Sequence, residues 1–237
     1  MLNEFHCTAV PRFQRRLLGY SVQQLPIEAF FFNCPPPTQH DLIPVEVLFI
    51  GAFHGDEPES AEILYKLIDT IQQLPIEQRP MMPFIILPQL NPDGLLANTR
   101  KNANQVDLNR NWPTQNWEPN AQHEHYHSGP APASEPETQR LQRLIEGFPP
   151  QRIVSLHTPY RCVNYDGPAE ALAERYARVC GYPVEASIGY PTPGSFGTWA
   201  GVEREIPTLT VELPDNQPMA QTWAENREAL LAMLSRD

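Results

Sequence analysis

The sequence predicts an α/β fold, a single domain built on one mixed, largely parallel sheet flanked by helices. Three observations carry this. Apolar runs of strand length at 45–51, 83–88, 152–157 and 206–212 alternate with longer stretches whose apolar residues recur at helical spacing. Such alternation is the pattern of a sheet covered on both faces. At 237 residues the chain is long enough for one substantial core, and no internal repeat or low-complexity linker divides it.

The elements follow in order. Residues 1–40 carry no clear period and are of uncertain packing, and Cys34-Pro-Pro-Pro37 separates them from the first clear strand. A helix over 57–74 is predicted by the apolar stripe Ile63, Leu64, Leu67, Ile68 and Ile71. After the strand 83–88, Asn91-Pro-Asp-Gly94 reads as a turn opening an irregular stretch over 89–133. A helix over 135–147 is predicted from Ser134-Glu-Pro-Glu137, which has the capping-box pattern, before Leu141, Leu144 and Ile145. The strand 152–157, a helix over 168–180, the strand 206–212 and a helix over 218–235 complete the chain.

Composition excludes several classes of function. A formal net charge of −11 argues against nucleic acid or an anionic membrane as partner, and any anionic substrate must be held by local arginines. No apolar stretch is long enough to span a bilayer. The start, Met1 to Pro11, lacks the basic and apolar regions of a secretory signal, so the expected location is the cytoplasm. Cys7, Cys34, Cys162 and Cys180 are scattered without a Cys-x-x-Cys pair and are expected to be free thiols. A homodimer is left open.

The strongest chemical motif is His54-Gly-Asp-Glu57, which directly follows the apolar run Val45 to Phe53. It delivers an imidazole and a carboxylate to the carboxyl edge of a strand, where open α/β sheets keep their sites. That pair suits zinc, and a catalytic zinc takes three protein ligands and leaves one position for water. A second apolar run, Arg152-Ile-Val-Ser-Leu-His157, ends in the third candidate ligand, His157. Between these strands lie Arg100 and Asp107-Leu-Asn-Arg-Asn-Trp112, a clustering of guanidinium and amide groups suited to clamping a carboxylate. Farther on, Pro207-Thr-Leu-Thr-Val-Glu-Leu213 places one charge, Glu212, inside a β-rich run, which makes it the candidate general base. His123-Glu-His-Tyr-His127 is a weaker second metal candidate, in a polar stretch that favours a solvated loop. Gly194-Ser-Phe-Gly197 does not form a nucleophile elbow around Ser195.

His54-x-x-Glu57, Asn91-Pro-Asp-Gly94, Asp107-x-Asn-Arg-Asn111, Ser155-Leu-His157 and Thr210-Val-Glu-Leu213 stand in the order found in the M14 family of zinc carboxypeptidases, which the chain resembles over roughly residues 45–215. The segments 102–111, 134–138 and 189–199 resemble the branch of that family that acts on peptidoglycan peptides. The resemblance implies one zinc held by His54, Glu57 and His157, with Glu212 as general base and later proton donor to the leaving amine. It implies that Arg100 stabilises the oxyanion, that Asn109 and Arg110 bind the substrate carboxylate, and that Asp107 fixes the His54 tautomer from behind. Tyr190 stands near the place where the wider family carries a mobile tyrosine, and Tyr190 to Trp199 would wall the pocket. The implied substrate is a small anionic muropeptide, cut at its γ-D-glutamyl–meso-diaminopimelate amide during peptidoglycan recycling.

Two rivals are weighed beside it. A zinc-dependent N-acyl amino acid deacylase of the succinylglutamate desuccinylase or aspartoacylase type would use a similar ligand set. The proline-glycine segment before Trp199 and the Asn91 turn favour the peptidase. A non-catalytic module that has kept the fold is disfavoured, since all three ligands and the base are present.

Overall fold

The computed structural model describes residues 13–35, 42–119 and 126–235. Its frame is one eight-stranded sheet in the order β1-β2-β4-β3-β5-β8-β6-β7. The strands are β1 Phe13–Tyr20, β2 Pro26–Phe32, β3 Val45–Ile50, β4 Phe84–Leu87, β5 Pro150–His157, β6 Tyr160–Asp166, β7 Val184–Glu185 and β8 Thr208–Pro214. The central block β4-β3-β5-β8 is parallel. The β1-β2-β4 edge and the β6–β8 pair are antiparallel, so the sheet is mixed as expected.

The core lies on both faces, and period-two alternation of side chains explains how. Val47 and Phe49 of β3, Phe84 and Ile86 of β4, and Val154 and Leu156 of β5 point to one face. There they meet helices α1 (Pro58–Gln73), α4 (Glu170–Cys180) and α5 (Met219–Ala232), the stripe Ile63, Leu64, Leu67, Ile68 and Ile71 being buried among them. Leu48, Ile50, Ile85, Leu87 and Ile153 point to the other face. That face is closed by helix α3 (Pro136–Gly147) and by Trp112, Phe196 and Trp199. Strands buried on both sides read as continuous apolar runs, which is why β3, β4 and β5 are visible in the sequence.

Four details differ from the sequence expectation. Residues 13–32, unassigned above, form a β-hairpin on the sheet edge. The stretch 89–133 is not wholly irregular, because Asn91 caps a short helix α2, Pro92–Ala97, its side chain accepting from the Gly94 backbone N–H at 2.9 Å. Polar and apolar residues mix in Tyr160-Arg-Cys-Val-Asn-Tyr-Asp166, yet this segment is β6. The capping box does not form. Glu135 is the N-cap of α3 but its side chain makes no capping bond, and Ser134 Oγ donates to Glu135 Oε1 and accepts from Asn111 Nδ2 instead. Glu137 is buried and accepts from Asn102 Nδ2 at 3.1 Å and from the Val22 N–H at 3.2 Å. It ties the hairpin and the long loop to α3, a tertiary demand that outweighs local capping.

Among the described residues no helix is long and apolar enough to cross a membrane. Cys34, Cys162 and Cys180 are free and buried, as expected, while Cys7 lies outside the described residues. Burial pushes the Cys34 and Cys162 thiols up to about 11, which leaves them unreactive at neutral pH.

Candidate active site

The chain runs from β3 through α1 to β4 on one side of β3, then crosses to β5 on the other side. The carboxyl ends of β3 and β5 are therefore a topological switch point, where a crevice opens in such sheets. His54 follows β3, and Glu57 is the N-cap residue of α1, with Pro58 at the start of the helix. His157 is the last residue of β5, paired in parallel register with Glu212 of β8. Four elements, β3, α1, β5 and β8, thus bring one candidate residue each to one place.

The geometry joins them closely. His54 Nδ1 is 2.6 Å from Glu57 Oε1, and His157 Nδ1 is 3.0 Å from Glu57 Oε2. One ligand atom from each of these three buried residues falls within 4.8 Å of the others, the one such three-residue group found among the described residues. Two imidazoles and a carboxylate gathered so tightly are the donor set and spacing a divalent metal requires. Burial opposes charge on His54, but the Glu57 and Asp107 carboxylates outweigh it and raise the ring to about 9. Burial also opposes charge on Glu57, yet the two histidines hold it well below the usual carboxylate range. His157 goes the other way: burial lowers it further than Glu57 raises it. A cation in place of the shared protons suits all three groups.

Behind the ring, His54 Nε2 is 3.0 Å from Asp107 Oδ1. The same carboxylate accepts from Arg100 Nε at 3.0 Å and from the Asn109 N–H at 2.8 Å. One buried aspartate therefore orients a histidine, an arginine and the start of the Asn109-Arg110 pair. Asn109 Oδ1 accepts from the Phe196 N–H at 2.9 Å, and Asn109 lines the cleft. Arg110 lies in the same cleft, its guanidinium carbon 5.0 Å from the centre of the Tyr126 ring, and Arg100 lies 5.3 Å from that centre. Tyr190 stacks on Tyr126 with ring centres 6.2 Å apart, and burial pushes its phenol up to about 12.

Glu212 is 5 % exposed and its Oε2 has no hydrogen-bond partner. Burial and then the nearby Glu57 charge push its carboxyl up to about 8, eased by the Tyr160 backbone N–H. A carboxyl held near neutrality beside an open site is what proton transfer needs.

Every sequence-selected residue, His54, Glu57, Arg100, Asn109, Arg110, His157, Tyr190 and Glu212, lines this one cleft, with Asp107 beneath it. The segment after Tyr190 forms a wall through Thr192, Ser195 and Gly197. Of the second metal candidate, His123 and His125 lie outside the described residues, and His127 Nδ1 accepts from the Gly129 N–H at 2.9 Å. Sequence reading missed Tyr126, Asn164, Asp166 and Thr210, which also line the cleft. Had β6 been recognised, alternation would have marked Asn164 and Asp166 as sharing a face.

The zinc carboxypeptidase family model matches residues 8–229. The chain belongs to the zinc carboxypeptidase family. Among curated relatives, murein peptide amidase A of Vibrio campbellii is 36 % identical over 204 residues, covering 80 % of this chain and 77 % of that protein. Murein peptide amidase A of Escherichia coli K12 is 35 % identical over 178 residues, 70 % of each. The crystal structure of the murein-tripeptide amidase MpaA from E. coli O157 superposes with TM-score 0.76 at 30 % identity, covering 97 % of this chain and 96 % of that one. Carboxypeptidase A from Helicoverpa armigera shares the fold, with TM-score 0.74 at 16 % identity over 93 % of this chain and 67 % of that one. As a zinc carboxypeptidase family member the chain is a peptide-bond hydrolase, and its mixed sheet with flanking helices is the family fold.

Proposed function

We propose that the protein is a zinc-dependent amidase that hydrolyses the γ-D-glutamyl–meso-diaminopimelate bond of peptides released from peptidoglycan, working in the cytoplasm as a single catalytic domain over residues 1–237. The observation that carries this is the meeting of His54, Glu57 and His157 with Glu212 in one cleft, in a chain 36 % identical over 204 residues to a murein peptide amidase A. These comparisons favour the amidase over the N-acyl amino acid deacylase.

His54, Glu57 and His157 would hold the zinc, which when bound supplies an acidified water and a Lewis acid for the scissile carbonyl. Glu212 takes the proton of the attacking water and passes it to the departing nitrogen, a role that suits a buried carboxylate with an unpartnered Oε2 beside the metal ligands. Arg100, anchored by Asp107, donates to the carbonyl oxygen as negative charge builds there. Arg110 and the Asn109 NH2 group hold the free carboxylate of the residue to be released. Tyr190 closes the outer wall of the cleft.

Mass spectrometry of the products from L-Ala–γ-D-Glu–meso-diaminopimelate tests the reading. Free diaminopimelate is expected with zinc-loaded enzyme, and none with chelator or with Glu212→Gln. Cleavage of N-succinyl-glutamate or N-acetyl-aspartate with the tripeptide left intact would replace it with the deacylase.

A further inference from the structure

The cleft holds a carboxylate that the mechanism above does not use. Asp166, the last residue of β6, lines the cleft, and no hydrogen bond or ion pair to its side chain occurs among the described residues. Burial alone pushes it up to about 6, with no neighbouring charge contributing, so at neutral pH it carries an uncompensated negative charge. The structure makes room for it. Gly197 and Gly201 lie against its side chain across the π-helical turn Thr198–Val202, and a methyl at residue 197 would collide with its Oδ2. Gly197 has φ −59° and ψ −43°, where alanine is at ease, so the glycine is needed for space rather than for backbone freedom.

Register gives the carboxylate a measured place. In the antiparallel β6–β8 pair, Glu212 faces Cys162, Thr210 faces Asn164 and Thr208 faces Asp166. Asn164, Asp166, Thr210 and Glu212 all line the cleft, so they share one face of this ribbon. Four residues along a strand separate Asp166 from the level of Glu212, about 13 Å. An extended side chain with four carbons between its α-carbon and a terminal amine places that nitrogen roughly 9 Å from the scissile carbonyl carbon. A charge-assisted hydrogen bond of about 2.8 Å covers most of the remainder. A short, apolar or acidic side chain would leave the carboxylate unpaired in a place where an unpaired charge is costly.

We propose that Asp166 is the specificity-determining residue of the cleft, receiving the protonated amine at the far end of the side chain of the released residue. The inference rests on the cleft being a peptidase site, and it selects diaminopimelate and lysine together against side chains without an amine. It is tested with L-Ala–γ-D-Glu–X, where X is meso-diaminopimelate, L-lysine or L-norleucine, the last being as long as lysine but uncharged. The wild type should prefer both amine-bearing substrates. Asp166→Asn should reduce the lysine-to-norleucine ratio of kcat/KM by about 10- to 100-fold. Gly197→Ala, which displaces the carboxylate without removing it, should reduce the same ratio. Equal rates on lysine and norleucine in the wild type, or an unchanged ratio in Asp166→Asn, would overturn the assignment. If γ-D-glutamyl substrates are refused but N-acyl dipeptides ending in lysine are cut, the muropeptide reading fails, and the lysine-to-norleucine ratio on those dipeptides still judges Asp166. Calorimetric binding of free lysine and norleucine to the zinc-loaded protein gives that ratio without turnover.

Discussion

Asp107 Oδ1 stands 3.0 Å from His54 Nε2, on the side of the ring opposite to the Nδ1 that faces Glu57. With a metal on Nδ1, this contact would keep the ring's remaining proton on Nε2 and the lone pair on Nδ1. Asp107→Asn keeps the shape but can present its NH2 group to the ring and reverse the tautomer. Zinc affinity, measured by chelator competition, is expected to fall about 10- to 100-fold. Unchanged affinity would reduce Asp107 to a loop anchor.

The two arginines of the cleft are predicted to fail differently. In the role proposed above, Arg100, held by Asp107 Oδ2, meets charge that exists only in the transition state. Arg100→Ala should therefore lower kcat by about 100- to 1,000-fold with little change in KM. As the proposed clamp, Arg110 would meet a carboxylate present before and during reaction, so Arg110→Ala should mainly raise KM. Steady-state kinetics on the tripeptide separates the two, and a kcat loss alone in Arg110→Ala would contradict the clamp.

Glu212 makes a prediction about pH in the metal-free protein. Its carboxyl rises from an ordinary value of 4.5 to about 8 on folding. Between those values the folded chain keeps a proton that the unfolded chain has released, so this contribution is complete below 4.5 and lost as pH rises through 8. His54, raised from 6.5 to about 9, acts in the same direction at higher pH. The Tm of zinc-free protein should fall from pH 6 to pH 9, and Glu212→Gln should flatten the early part of that fall. A Tm that rises over this range would show that neither group is held as described.

How much of this was legible before the structure follows from where each residue sits. His54, His157 and Glu212 end or interrupt apolar runs, because β3, β5 and β8 are buried on both faces and a polar residue in them stands out. Strand β1 of the edge hairpin lacked that contrast. No residue of β1 is buried, so the edge strand shows no apolar period. Asp166 was hidden for a related reason: β6 mixes two exposed residues, three buried ones and two intermediate ones, and its cleft-facing side is polar because it lines the site. Glu137 misled for a third reason, since its local pattern promised a cap while its carboxylate was needed by Asn102 and Val22. Local rules gave way where long-range polar contacts were stronger.

Gly55 sits between the two candidate ligands His54 and Glu57, and its backbone packs directly on that of Gly94. Its N–H donates to Thr99 O at 3.0 Å. A methyl at residue 55 would collide with the Gly94 carbonyl, and neither side of that contact is a flexible side chain. Relief must come from moving the His54–Glu57 turn away from α2, which also moves the ligands. Gly55→Ala is expected to cost roughly 1–3 kcal/mol, a drop in Tm of about 2–10 °C, together with weakened zinc binding. Gly147→Ala is the matched control, because nothing lies within 4 Å of a methyl there at the end of α3. Thermal melts with and without zinc distinguish the cases: an equal response of the two variants would mean that the close approach at Gly55 does not set the metal site.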